Sequence, residues 1–125
     1  MKIQDLRIGN YIQRNGINCT VELINGETED VYFLGKDFYY NENIMHIEPI
    51  EITEEWLLSF GFNKSGSTIY KNIGSIEIGT IANGKRFYIQ IGTENVTLNI
   101  KYVHQLQNLY FAIGGDELTY ENGIK

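Results

Sequence analysis

Along the first half of the chain, apolar and polar residues alternate one for one. Ile17, Cys19, Val21 and Leu23 alternate with Asn18, Thr20 and Glu22. That period of two puts one side of a strand on a core and the other in water. Asn15-Gly16 and Asn25-Gly26 bracket the run as hairpin turns, because both turn positions need positive φ. Leu6-Arg7-Ile8-Gly9-Asn10-Tyr11-Ile12 leads into the first strand. Val31-Tyr32-Phe33-Leu34 and Phe38-Tyr39-Tyr40 form two short aromatic strands about Gly35-Lys36-Asp37. Asn41-Glu42-Asn43 then turns into a fifth, Ile44-Met45-His46-Ile47-Glu48. Five short strands with tight turns over residues 1–50 pack most simply as a small barrel-like antiparallel β meander.

The period changes after Pro49. Thr53 caps a short helix, Glu54 and Glu55 suit its N-terminal dipole, and Trp56, Leu57 and Phe60 share one face. Gly61 ends the helix in the left-handed conformation, so that Phe62 folds back on Leu57. Alternation then resumes in four strands, centred on Ile69, on Ile76 and Ile78, on Phe87, Ile89 and Ile91, and on Val96, Leu98 and Ile100. Ser65-Gly66 and 82–85 are the turns. An antiparallel sheet with one apolar face needs a cover. Residues 101–113 supply it, with Tyr102, Val103, Leu106, Leu109, Tyr110 and Ile113 on one side of a helix stopped by Gly114-Gly115. Beyond it, 116–125 is a polar tail that Leu118 and Tyr120 could dock. The expected class is α+β: a β meander over 1–50, then helix, four-stranded sheet and helix over 51–125, packed as one unit.

Composition narrows the functional classes. At 125 residues, 42% of them hydrophobic, with nine Tyr and six Phe, the chain can build a core of its own. One cysteine, Cys19, excludes an intrachain disulfide and fits a reducing compartment. It stands in an apolar row with no basic neighbour in sequence, as a small core residue rather than a reactive thiol. No apolar run is long enough to span a membrane, and the first residues lack the apolar core of a signal peptide, so the expected location is cytoplasmic. The net charge of −6 is uneven. From Glu22 to Glu55 ten acids face one base, a balance of −9; from Trp56 to Lys101 five bases face two acids, a balance of +3. The acidic half argues against duplex nucleic acid as a partner.

No catalytic or metal constellation stands out. His46 and His104 lie in different elements, and neither a His-x-x-x-His nor a Cys-x-x-Cys spacing occurs. The serines sit in turn, cap or strand contexts, and capping explains Glu54 and Glu55. The expectation is a non-enzymatic protein with no cofactor. Two features remain. One is the polar face of the second helix: His104, Gln107, Asn108 and Phe111. A solvated helix back carries Lys and Glu more often than amides, an imidazole and a phenyl ring. This mix suits a protein partner, self-association, or the first meander of the same chain. The other is Lys85-Arg86 near a hairpin tip, with Tyr88 on the strand face of Arg86. A cation beside a ring could hold a small anionic ligand such as a nucleotide, or guard a sheet edge.

Three blocks carry a resemblance: Leu6-Arg7-Ile8-Gly9-Asn10, the run from Ile50 through Thr53-Glu54-Glu55-Trp56-Leu57-Leu58 to Phe62, and Lys101-Tyr102-Val103-His104-Gln105-Leu106-Gln107-Asn108-Leu109-Tyr110-Phe111-Ala112. Together they resemble a family of small proteins, with no chemistry assigned to it, from Bacteroides-type gut bacteria and their phages and integrated elements. The resemblance implies a cytoplasmic accessory protein of a phage or mobile element and transfers no functional residue. On it rest two expectations: a protein-binding module, or a protein that sequesters a signalling nucleotide in phage counter-defence.

Overall fold

The computed structural model describes residues 1–35, 37–81 and 86–120. It holds two antiparallel sheets and two α-helices, an α+β arrangement. The first sheet contains β1 (Tyr11–Arg14), β2 (Ile17–Asn25), β3 (Asp30–Leu34) and β4 (Tyr39–Asn43), in that spatial order. The expected fifth strand is instead a 3-10 turn, Ile44–His46, capped by the Asn43 side chain, which accepts from the Met45 N–H. Asn is a strong cap, and that local bond competes with extension. After this turn the chain returns to β1 in a single antiparallel bridge between Gln13 and Glu48. Arg14 of β1 also bonds Glu42 of β4, at 2.8 Å from Nε, so the sheet curls until its outermost strands touch by side chains.

The alternation in β2 is interrupted. A β-bulge lies between Val21 and Leu23, and a one-residue shift reverses every later side chain. Cys19 and Val21 are buried as expected, but Leu23 is turned outward and Ile24 takes its place against the core. Ile17, at the hairpin end, is also exposed.

The second sheet has five strands where four are expected: β5 (Asn63–Ser65), β6 (Thr68–Ile73), β7 (Ile76–Ile81), β8 (Arg86–Ile91) and β9 (Glu94–Leu98). The extra strand is a three-residue edge with all its residues exposed, so it lacks the apolar alternation that marks a strand. Helix α1 (Glu54–Ser59) is capped by Thr53 Oγ1, which accepts from the Trp56 N–H at 3.3 Å. Gly61, at φ +86°, ends it, and the Phe62 N–H returns to the Leu57 carbonyl at 3.1 Å. Helix α2 (Val103–Gly114) lies over the apolar face of the second sheet.

Two cores result. Ile12, Cys19, Val21, Val31 and Phe33 fill the inside of the first sheet, closed by Ile3, Leu6, Ile44 and Ile47. The second core joins both helices, the second sheet, and the tail residues Leu118 and Tyr120, so the tail docks at least to Tyr120. Tyr11 crosses from the first sheet into this core. Its ring lies 5.5 Å from Trp56 and 6.2 Å from Phe60, and its hydroxyl accepts from the Tyr120 N–H. None of the described helices is long and apolar enough to cross a membrane.

Candidate functional site

The polar face of α2 is turned toward the first sheet. Gln107 is fully buried, and its carboxamide fits the free edge of β1. Its Oε1 accepts the Tyr11 N–H at 2.8 Å, while Nε2 donates to the carbonyls of Gly9 and Leu118, each at 3.1 Å. Val21 N–H bonds to the Asn10 carbonyl, so the β1–β2 ladder points the Tyr11 N–H toward the open edge. One side chain therefore does the work of a neighbouring strand, and the Glu48 backbone takes over at Gln13.

Asn108 and Phe111 are engaged by Arg7. The guanidinium forms a two-pronged pair with Glu117, donates from Nε to Asn108 Oδ1 at 3.2 Å, and lies 4.2 Å over the Phe111 ring. Asn108 also accepts from Asn10 Nδ2 at 2.8 Å and donates to the Asp5 carbonyl. His104 is buried beside Tyr102, ring to ring at 6.0 Å, and its Nδ1 has no hydrogen-bond partner among the described residues. Burial pushes its pKa down; the Asp5 carboxylate opposes that shift, and the N-terminal charge adds to it. Gln107 and Asn108 are thus engaged by β1 and the segment that leads into it, whereas His104 lies against Tyr102. Phe111 keeps part of its ring exposed beneath Arg7.

The second candidate group is only partly described, because Lys85 lies outside the described residues. Arg86 is exposed at the start of β8. The Tyr88 ring lies across Gly79 of the neighbouring strand, so close that a Cβ on Gly79 would stand 2.5 Å from the phenol oxygen. The Tyr88 hydroxyl donates to Glu77 at 2.6 Å. Burial first, then the bond to Glu77 and its charge, push the phenol pKa up. A shallow cleft of about 320 Å³ lies beside it, lined by Thr68, Ile81, Gln90, Asn95 and Thr97.

Two surfaces escaped the sequence reading. Leu23, Tyr32, Leu34 and Tyr39 adjoin one another in register on the outer face of the first sheet. The consecutive aromatics Phe38-Tyr39-Tyr40 were the available signal, since a strand cannot bury all three on one face. The other surface is a groove of about 550 Å³ between β1, the segment that leads into α1, and the start of α2, lined by Gln13, Glu48, Pro49, Glu51, Trp56 and Tyr102, among others. Its walls come from three distant stretches, which no local pattern brings together. Among the described residues no three His, Cys, Asp or Glu side chains gather as a metal site requires. No protein-family model, no curated protein and no solved structure matches the chain.

Proposed function

We propose that the protein is a non-enzymatic protein-binding module that docks its partner on the outer face of the first sheet and the free edge of β4. The observation that carries this is the exposed apolar row. Leu23 is 55% exposed, Tyr32 37% and Tyr39 76%; Leu23 pairs with Tyr32, and Tyr39 pairs with Leu34, two residues along β3 from Tyr32. Single exposed apolar residues are ordinary, whereas a contiguous row of them marks an interaction surface. β4 pairs only with β3 among the described strands, and it carries neither the Pro nor the Lys that commonly guards an edge. A partner strand added there gains main-chain hydrogen bonds beside the aromatic row. In this reading the first sheet is an open, barrel-like curl: the Arg14–Glu42 pair joins its outermost strands by side chains only, and the backbone edge of β4 stays unpaired. The resemblance of the three sequence blocks supports a setting as a cytoplasmic accessory protein of a phage or mobile element. A small anionic ligand is the less favoured reading, because Glu77 puts a carboxylate beside Tyr88 where a phosphate would approach.

Tyr39→Glu tests the proposal. The expected result is that wild type self-associates on light scattering or crosslinks to an identified partner, and that the variant loses this while its circular dichroism and thermal unfolding are unchanged. A wild type that is monomeric at high concentration and crosslinks to nothing that Tyr39→Glu loses overturns it.

A further inference from the structure

We infer that two copies of the chain join along β9, so that their second sheets run on as one continuous sheet about a two-fold axis at Val96. This surface is separate from the outer face of the first sheet, and the inference goes beyond the binding-module reading. Among the described strands β9 pairs only with β8. Its hairpin decides which backbone groups are left over. Ile91 and Glu94 flank a two-residue turn with Gly92 at φ +61°, and they form its closing hydrogen-bonded pair. Backbone direction alternates from there. Glu94, Val96 and Leu98 turn theirs to β8, while Asn95 and Thr97 point theirs off the sheet. No other described element bonds those outward groups.

The two edges of this sheet differ. β5 is three residues long and has Lys64 at its centre, paired with Glu54 of α1; shortness and a lysine are the usual guards of an edge. β9 has five residues and carries no Pro, no Lys and no bulge. Bare apolar surface lies at the same border. Val96 pairs with Ile89, which packs against the second core, so Val96 is on the face that α2 covers. Even so Val96 is 54% exposed, and Ile91, on the same face, is 55% exposed. The helix leaves this corner uncovered. Charge selects a second copy as its cover. Laid antiparallel over its full length, β9 sets Val96 opposite the partner's Val96, Asn95 opposite the partner's Thr97, and Glu94 opposite the partner's Leu98. Apolar meets apolar at the axis, and the one charge of the strand meets no acid. In this register the outward groups of Asn95 and Thr97 are exchanged across the join.

Sedimentation of the full chain reads the association. The expected result is a concentration-dependent dimer, weakened about tenfold or more by Val96→Lys, with circular dichroism and thermal unfolding unchanged. Leu58→Lys puts the same charge on an exposed apolar position of α1 and should leave the dimer intact. Thr97→Pro removes an N–H that faces away from β8, so it should spare the hairpin and still weaken the dimer. Oxidation reads the register, since Cys19 is buried. Val96→Cys should crosslink to its own copy, because the Cα atoms of such a pair stand about 4.5 Å apart. Thr97→Cys should not, because its two copies lie farther apart than a disulfide spans. A wild type that stays monomeric at about 1 mM, a dimer that Val96→Lys leaves unchanged, an equal loss in Leu58→Lys, or equal crosslinking of the two cysteine variants overturns the inference. So does a dimer lost only in Tyr39→Glu, which would belong to the first sheet. If the dimer centred on Val96 holds while Tyr39→Glu loses no partner, the binding-module reading alone falls.

Discussion

Gln107→Leu removes the side chain that completes the edge of β1. The replacement is close in size but offers neither donor nor acceptor. Three partners lose a bond: the Tyr11 N–H and the carbonyls of Gly9 and Leu118. The Tyr11 N–H is the costly one, because it faces the open edge in a site closed to water, and an orphaned buried donor costs about 1–3 kcal/mol. The two carbonyls keep a second lone pair and lose roughly 1 kcal/mol each. Burying leucine in place of an amide returns about 1 kcal/mol. The net is about 3 kcal/mol, a large share of the roughly 5–15 kcal/mol that holds a domain of this kind together. Urea unfolding, followed by far-UV circular dichroism and by Trp56 emission, measures it. A loss below about 1 kcal/mol with an unchanged denaturant slope would refute the idea that Gln107 stands in for a strand. Gln107→Glu sharpens the test. It keeps an acceptor for Tyr11 but, when ionised, sets oxygen against two carbonyls, which raises its folded pKa above the unfolded value of about 4.3. The folded state then binds the proton more tightly, so this variant is least impaired in acid and loses stability as the pH rises.

The buried imidazole of His104, held below its usual pKa, makes wild-type stability fall as the pH drops below about 6.5, by at most about 1.4 kcal/mol per pH unit; His104→Leu should flatten that slope in urea titrations across the range, since Nδ1 has no partner to lose. Gly79→Ala drives a methyl into the Tyr88 ring and should cost about 1–3 kcal/mol, while Gly79→Ala combined with Tyr88→Thr should cost less than the sum of the two single changes. Arg7→Lys loses the forked pair with Glu117 and the stacking on Phe111; with those side chains 29% and 38% exposed, a penalty of only about 1 kcal/mol is expected, smaller still in high salt on the same urea assay.

What the sequence made legible was set by local rules. The Thr53 cap, the Gly61 stop and the Phe62 return follow from chemistry within a few residues, and all are found; α2 is found too, but it starts two residues later than expected, because Tyr102 is extended and bridges Glu51, and it runs through Gly114 to a cap at Gly115. Leu23 was misplaced because a bulge changes the strand's parity without leaving a mark in the apolar pattern. β5 was missed because an exposed three-residue edge has no apolar face to betray it. At the candidate sites, the unusual polarity of the α2 face was readable, and so were the two uses open to it. Which use prevails depends on Gly9, Asn10 and Tyr11, about a hundred positions away, and on the direction of a single N–H. The groove was invisible for the same reason, since Gln13, Glu48 and Tyr102 meet only through the Gln13–Glu48 and Glu51–Tyr102 bridges.

The Gln107 contact has a consequence for synthesis. The margin of the earliest strand waits for an amide 96 positions downstream, and that amide in turn holds the carbonyl of Leu118. A ribosome therefore has to release α2 before the edge of β1 can close. Any product cut short ahead of α2 keeps a sticky border, ready for capture by a chaperone or for clumping.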